Sequence, residues 1–200
     1  HYDVLHAQTA NTVTSLVLTK FLHRRPVVFT RRTAFAIKPK SEWKTHFKWR
    51  RVDALVAISE VAAAEPRRLG LHPDIIRSAV EPHRVDSDKV AALVQEFQLN
   101  GRRVIATSAA LSREKDPITL VRAVAALARV RHDFVFIHFG ASGDAQAQPQ
   151  AEVQRLGIQD KYLFAGFRPG VEDFYSVMDV FVMSSIQEAL GSSVLDAFLQ

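Results

Sequence analysis

The sequence predicts an α/β protein in which helices cover parallel β-sheets. Segments rich in β-branched and aromatic residues alternate with amphipathic segments of helical length along the 200 residues. Such alternation is typical of parallel strands joined by helical crossovers. A hydrophobic content of 48% is enough for a packed core, and no apolar run is long enough to cross a membrane.

The first part of the chain is predicted to form one sheet with its helices. Strands are predicted at 3–8, 26–30, 52–59 and within 74–80, and helices at 9–23, 41–51 and 60–70. The following segment EPHRVDSD (81–88) has no apolar period and is the predicted hinge. We therefore predict two domains, residues 1–84 and 85–200.

The second part repeats the alternation. Strands are predicted at 102–109, 134–140, 162–167 and 179–185, and helices at 88–98, 116–132, 147–157 and 171–178. Asp116–Pro117 is a typical helix start. Lys115 then lies at the carboxyl edge of the predicted sheet, where open α/β sheets bind ligands, although one Lys in a loop is more often solvated.

Composition excludes several classes of site. The chain has no Cys, so disulfides and thiolate metal sites are absent, and its His residues show no metal-ligand spacing near acids. Composition therefore offers no thiolate or His-rich metal site. The formal net charge is +5, and residues 20–51 hold eleven Lys or Arg but one acid, Glu42.

The basic segment also contains aromatic residues. SEWKTHFKWRR (41–51) is predicted to be a helix capped by Ser41, with Trp43 and Phe47 on one face. One interpretation is a solvated charged face with these two aromatics in the core. The other is a surface for anionic lipid or a phosphorylated acceptor. No recognition motif supports a nucleic-acid site.

The last segment of the chain combines two carboxylates with a turn into a helix. Glu188 precedes Gly191, Ser192 and Ser193, and Ser192 shares a helical face with Asp196. A small-residue helix start suits a phosphate, and flanking carboxylates can accept hydrogen bonds from hydroxyls. The pattern therefore fits a sugar nucleotide, or else an ordinary strand–turn–helix unit with solvated acids.

This segment resembles the signature of retaining glycosyltransferases of family 4, which have two facing Rossmann-like domains (the GT-B fold). The family pattern is a small-residue pair, a Glu, a Gly three residues later and a second Glu. Ser184, Ser185, Glu188 and Gly191 match, and Asp196 replaces the second Glu. The resemblance implies that Glu188 is the catalytic carboxylate at the donor sugar and that Asp196 contacts the ribose.

The resemblance extends to three loops of the second predicted domain. Lys115 matches a Lys that contacts the donor diphosphate, whereas Ala110 replaces the family's Arg, for which Arg113 is the candidate substitute. The turn 139–145 resembles the family's Gly-rich turn, and 165–170 the loop beside the nucleobase. The implied donor-binding residues are Lys115, Arg113, Gly140, Phe167, Arg168, Gly191, Ser192, Ser193 and Asp196.

The first predicted domain resembles the family's acceptor domain. His6 matches the first of two His residues that end a family strand, and Gln8 replaces the second. From its residues alone, a single His in an apolar strand is more often a packed core residue. VVFTRRTAF (27–35) resembles members that build lipopolysaccharide or other envelope glycans, which implies that Arg31 and Arg32 face an anionic acceptor.

The resemblance implies a metal-independent retaining glycosyltransferase that uses a nucleotide-sugar as its donor substrate and needs no cofactor. Its expected partners are a glycan or glycolipid acceptor of the cell envelope and an anionic membrane surface, with no nucleic acid. We expect a cytoplasmic protein that docks peripherally on the inner face of the cell membrane. The alternatives are a non-catalytic basic membrane-surface module and a same-fold sugar-nucleotide epimerase. Because both domains lack family elements, we expect a piece of a longer protein.

Overall fold

A computed structural model describes residues 2–82 and 84–200, and His83 of the predicted hinge lies outside them. The chain forms two compact units, one reaching as far as Ala79 and including Gln187–Leu190, the other Val80–Ile186 with Gly191–Gln200. Each unit contains a four-stranded parallel sheet. The α/β class is thus confirmed, and the division at 84/85 stays a prediction.

The sheet of the first unit has its strands in chain order. They are β1 (Leu5–Ala7), β2 (Val27–Arg31), β3 (Ala54–Ala57) and β4 (Asp74–Ile75). The helices are α1 (Ala10–Leu18), α2 (Lys20–His23), α3 (Glu42–Trp49, after a 3₁₀ turn at Pro39–Ser41) and α4 (Glu60–Arg68). The Thr9 and Ser59 hydroxyls cap α1 and α4 by accepting from backbone N–H groups.

The predicted helix at 41–51 begins differently. Ser41 ends the 3₁₀ turn in the helical region of backbone space (φ −110°, ψ −3°) and makes no side-chain capping bond. The predicted Ser41 cap is therefore wrong. Trp49 is the aromatic that enters the core, where its ring lies 5.9 Å from Phe29.

The sheet of the second unit has the order β7-β6-β5-β8. Its strands are β5 (Arg103–Ser108), β6 (Phe134–Phe139), β7 (Tyr162–Gly166) and β8 (Val180–Phe181). Its helices are α5 (Ser87–Glu96), α6 (Pro117–Ala128), α7 (Ala147–Leu156) and α8 (Ser192–Phe198). Every residue of the central strand β6 is buried, because apolar clusters cover both faces of the sheet.

Two predicted elements at the end of this unit differ from the structure. The predicted helix at 171–178 is a 3₁₀ segment, Val171–Val177, and the predicted strand at 179–185 is only Val180–Phe181. The chain leaves the sheet because its next polar groups bind a neighbouring turn. The Ser184 hydroxyl donates to the carbonyl of Lys115 at 2.8 Å, and the Ile186 N–H donates to that of Glu114 at 2.8 Å.

Candidate functional site

Three loops meet at the carboxyl edge of the second sheet and are joined through their backbones. The loops follow β5, β6 and β7, as expected for parallel strands that end at one edge. The bonds are Ala109 N–H to Phe139 O (2.8 Å), Leu111 N–H to Ala141 O (3.1 Å), Ala145 N–H to Leu111 O (3.0 Å) and Gly140 N–H to Gly166 O (2.9 Å). We call these the edge loops.

The two glycines of the turn after β6 allow this close contact. A Cβ atom on Gly140, whose φ is +155°, would lie 1.8 Å from the carbonyl oxygen of Ala109. One on Gly143 would lie 2.5 Å from the carbonyl oxygen of Leu111. Only glycine fits such an approach of two backbones. Gly140 therefore shapes the loop beside Lys115, and its predicted contact with the donor stays a prediction.

A buried polar pair, His138 and Tyr162, contacts the backbone of the first edge loop from within the sheet. His138 on β6 is 1% exposed, and its Nε2 lies 3.0 Å from the carbonyl oxygen of Ala109. Since a carbonyl only accepts, Nε2 carries the proton, and Nδ1 accepts from the Tyr162 hydroxyl at 2.8 Å. Burial lowers the pKa of His138 to about 4 and raises that of Tyr162. Sequence analysis missed this pair.

The predicted diphosphate residue Lys115 ends a 3₁₀ turn, Arg113–Lys115, in the first edge loop. The Ser184 hydroxyl fixes this turn by donating to the carbonyls of Lys115 and Asp116, at 2.8 and 2.9 Å. The fold therefore brings two separate sequence motifs together, the Lys115 loop and the small-residue pair that precedes Glu188. The role of Lys115 itself stays a prediction.

Arg113 extends into solvent beside the same loop. Its side chain is 81% exposed, and its Nε lies 3.9 Å from an oxygen of Asp144. Such an exposed ion pair contributes little to stability, so it holds the guanidinium loosely. Whether Arg113 replaces the Arg that Ala110 lacks stays a prediction.

Phe167 and Arg168 differ in how they are held. Phe167 is 71% exposed at the start of the third edge loop, directly after β7. The Arg168 guanidinium instead donates from Nε to the carbonyl of Ala165 at 3.1 Å and pairs with Glu96 on α5. It also lies over the Phe97 ring. These partners hold the Arg168 side chain against α5, and the implied position of Phe167 and Arg168 near the nucleobase stays a prediction.

The motif at the end of the chain is a turn followed by a short helix. Gly191 has a φ of +72° and precedes α8, whose first residue is Ser192. Ser193 follows it, and Asp196 lies one turn later, close enough for its charge to raise the pKa of Tyr175. Burial is the larger cause of that rise, to about 12, and a hydrogen bond with Ser108 opposes it.

Glu188 lies on the segment Gln187–Leu190, which belongs to the first unit. The hydroxyl of Ser59, which caps α4, also donates to the carbonyl of Ala189. Ala189 and Leu190 pack on a small apolar cluster that includes Ala57 and Ala62. Ser59 is therefore an anchor of the Glu188 segment, and its ordinary capping sequence gave no sign of that second role.

The first unit has a cleft at the carboxyl edge of its own sheet, with a volume of about 290 Å³. It is lined by His6, Gln8, Val28, Thr30, Arg32, Val56, Ile58, Ile76, Arg77 and Ser78. His6 is exposed, contrary to the core position expected from its residue type, and Nε2 lies 2.7 Å from the Thr30 hydroxyl. Arg32 donates to the amide oxygen of Gln8 at 3.1 Å. Three implied acceptor residues therefore share this cleft, which we call the first-unit cleft.

Arg31 is not in the first-unit cleft, which corrects the implied acceptor contact. It is 4% exposed and donates to the carbonyls of Phe35 and, at 2.7 Å, Ala62. Its guanidinium also lies 5.4 Å from the centre of the Trp49 ring. Burial lowers its pKa, opposed by the charge of Glu65. The reason is strand alternation, since Arg31 is on the same face of β2 as the buried Val27 and Phe29.

The comparisons with known proteins agree with the fold of the two parallel sheets. Residues 91–199 match the family model described as "Glycosyl transferases group 1". The chain belongs to this family.

Individual relatives of this group 1 glycosyl transferase share about a third or less of their aligned residues with it. It is 34% identical over 132 residues to a 2-deoxystreptamine glucosyltransferase of Streptomyces kanamyceticus, a match that covers 63% of this chain and 34% of the relative. HepE of Anabaena in complex with UDP-glucose superposes with a TM-score of 0.87 at 18% identity, over 99% of this chain and 57% of HepE. A sucrose-phosphate synthase of Thermosynechococcus elongatus gives 0.79 at 16% identity, over 98% and 53%.

These comparisons confirm the resemblance to family 4 and the GT-B fold. The chain spans about a third of its curated relative's length and 57% of HepE. Within residues 2–82 and 84–200, no helix is long and apolar enough to cross a membrane. The same residues hold no group of three or more His, Cys, Asp or Glu side chains arranged to bind a metal ion.

The basic surface of the first unit is built on α3. Trp43 is 67% and Phe47 42% exposed, so the interpretation that placed both in the core is wrong. Cations cover their rings: Arg51 lies 3.4 Å from the Phe47 ring centre and Lys44 lies 5.4 Å from that of Trp43. An open groove of about 610 Å³, the α3 groove, is lined by Trp43, His46, Phe47, Arg50 and Arg51.

Proposed function

We propose that this protein is a retaining glycosyltransferase that moves a sugar from a nucleotide-sugar to a hydroxyl of a glycan or glycolipid acceptor of the cell envelope. The observation that carries the proposal is the docking of Ser184 onto the Lys115 turn, because it joins two family motifs at one sheet edge. Uridine diphosphate sugars are the first donors to test, since HepE binds UDP-glucose and the Streptomyces relative is a glucosyltransferase.

Each charged residue has a separate part in this proposal. Lys115 neutralises the leaving diphosphate, whose negative charge grows as the glycosidic bond breaks. Glu188 orients the donor sugar and stabilises the positive charge that develops at its reacting carbon. Asp196 accepts hydrogen bonds from the ribose hydroxyls, with one methylene less reach than Glu. The proposed reaction requires no metal, because protein groups supply the positive charge.

The test is a thermal-shift screen of nucleotide-sugars with the full-length protein, followed by detection of released nucleoside diphosphate. A ligand at a hundred times its Kd stabilises the folded state by about 2.7 kcal/mol, which a melting curve resolves. We expect one donor to stabilise the protein and to be turned over with an envelope glycan. If no nucleotide-sugar binds, the non-catalytic module is favoured. If a sugar nucleotide is epimerised without transfer, the same-fold epimerase is correct.

We also propose that the protein associates peripherally with anionic membranes through the basic surface of α3. Exposed Trp43 and Phe47 supply an interfacial anchor, and the cations around them supply charge, each worth about 1 kcal/mol near such a surface. Leu18, Phe21 and Leu22 are also exposed on the same unit. This arrangement favours a lipid surface over a purely solvated face.

Vesicle sedimentation tests the membrane proposal. Replacing Lys44, Lys48, Arg50 and Arg51 by Gln should release the protein from phosphatidylglycerol vesicles, and wild-type binding should fall steeply with salt. A variant with the same change in charge at Arg122, Arg129, Arg131 and Arg155 of the second unit is the control. If the wild type and the α3 variant bind vesicles equally at low salt, the basic surface is only a solvated face and the membrane proposal is wrong.

A further inference from the structure

The lining of the first-unit cleft is positively charged. Two arginines, Arg32 and Arg77, line it, and both are exposed. No Asp or Glu is among its lining residues within the part of the chain that the structure describes. The other polar groups are hydroxyls, one amide and the His6 ring. A ligand in this cleft therefore meets two positive charges and no negative one.

The first unit as a whole carries a net charge of the same sign. Residues 2–79 and 187–190 contain 14 Lys or Arg against 7 Asp or Glu, a net charge of +7. Four of those acids form ion pairs elsewhere in the unit, namely Asp53 with Lys20, Glu60 with Arg67, and Glu42 and Glu65 with Arg68. Among the described residues, Arg32 and Arg77 form no ion pair. The field of the unit therefore adds to the local attraction for anions.

Local contacts also orient one of the two cations. The amide oxygen of Gln8 accepts from Nη1 of Arg32 at 3.1 Å, which leaves the other guanidinium N–H groups available to a ligand. A neutral amide holds the guanidinium without cancelling its charge, as a carboxylate would. His6 is held in turn by Thr30 at 2.7 Å. The cleft is thus shaped by neutral hydrogen bonds and keeps its positive charge.

We propose that the acceptor bound in the first-unit cleft carries a carboxylate or phosphate group that Arg32 and Arg77 recognise. This inference rests on the proposed function, because it treats the cleft as the acceptor site. It also predicts that this protein differs in acceptor charge from its Streptomyces relative. That relative is named for 2-deoxystreptamine, an amine that is cationic near neutral pH. Two arginines without a facing acid disfavour such an acceptor, since like charges brought together cost free energy.

The test measures binding of four probes to the full-length protein by calorimetry or ligand-observed NMR, each with and without UDP. The probes are methyl glucuronide (carboxylate), glucose 6-phosphate (phosphate), methyl glucoside (neutral) and 2-deoxystreptamine (cationic). A charge-assisted hydrogen bond is worth about 1.5–3 kcal/mol, or roughly ten- to hundredfold in affinity. We expect one anionic probe to bind at least about tenfold more tightly than methyl glucoside. The better probe identifies the anion.

Variants of the lining arginines test whether the preference for an anionic probe comes from the first-unit cleft. Arg32→Gln and Arg77→Gln should each remove most of the preference for the anionic probe, and Arg77→Glu should shift the preference towards 2-deoxystreptamine. Arg25→Gln is the matched control, because Arg25 is exposed on the same unit, lies outside the cleft lining and carries the same charge. Melting temperatures of all variants check that each one folds.

Two outcomes would overturn the proposal: equal binding of charged and neutral probes, or tighter binding of 2-deoxystreptamine by the wild type. An equal loss of the anionic preference in Arg25→Gln would also overturn it, because the effect would then be a general field and not recognition by Arg32 and Arg77. UDP binding is recorded in the same samples. If UDP fails to bind while the anionic probe binds the cleft, the proposed function fails, and the charge preference of the cleft stands.

Discussion

The buried His138 makes the stability of the second unit depend on pH in a way that can be calculated. Burial lowers its pKa from 6.5 to about 4 in the folded protein. The unfolded chain therefore binds a proton in the window between these values while the folded chain does not. The neutral ring contributes its full stability above pH 6.5, and that stability is lost as the pH falls towards 4.

The magnitude follows from the two pKa values. At pH 4.5 the unfolded state gains about 2.5 kcal/mol relative to the folded state from this one group. The physical origin is the desolvation of a charged ring in a buried strand, which the hydrogen bond to the carbonyl of Ala109 opposes only in part. For a unit of somewhat more than 100 residues, a change of that size shifts the melting temperature by about 10 °C.

The assay compares denaturant unfolding of the full-length wild type and His138→Gln between pH 7.5 and 4.5. Gln keeps an amide donor towards the carbonyl of Ala109 but has no titrating ring, and the other His residues cancel in the comparison. We expect the free energy of unfolding of the wild type to fall by about 2.5 kcal/mol more than that of the variant. Parallel pH profiles for the two proteins would refute the reasoning and place the His138 proton elsewhere.

Three further predictions concern the edge loops and the C-terminal motif. Glu188→Gln should lower transfer about a hundred- to thousandfold without loss of fold, because a charge-stabilising group is worth about 3–4 kcal/mol, and near-normal turnover would remove Glu188 from the chemistry. Lys115→Ala should weaken UDP by about 1.5–3 kcal/mol more than uridine, and equal losses in calorimetry would show that the cation does not touch phosphate. Gly140→Ala should lower the melting temperature far more than Gly157→Ala, because its new methyl group would lie 1.8 Å from a carbonyl oxygen, whereas nothing lies within 4 Å at Gly157. Similar losses for the two glycine variants would contradict the close approach.

The order of strands and helices was predictable because the spacing of apolar residues differs between strands and helices. Parallel sheets and most element positions follow from that signal. The exceptions are decided by contacts between distant segments. The 179–185 strand is short because Ser184 and Ile186 bind the turn at 113–116, some 70 residues away, and no local pattern encodes that choice.

Side-chain direction was the weaker part of the site prediction. The alternation of Val27 and Phe29 already indicated that Arg31 turns inward and Arg32 outward, and that signal was available in the sequence. The His138–Tyr162 pair could not have been found in this way, because its partners lie 24 residues apart on neighbouring strands. Nor does the periodicity of α3 show that Trp49, and not Trp43, enters the core.

The backbone hydrogen bonds between the edge loops separate the shape of this sheet edge from the identity of its side chains. The loops are held together by backbone hydrogen bonds, by the close approach at two glycines and by the buried ring of His138. The side chains of Ala110 and Arg113 take no part in these contacts. A change at these two positions can therefore alter charge without altering the path of the chain. Ala110, where the resemblance to family 4 implies an Arg, is such a change, because it lacks the cation and leaves the backbone hydrogen bonds intact. Under the proposed function, both positions are natural sites for redesigning donor choice.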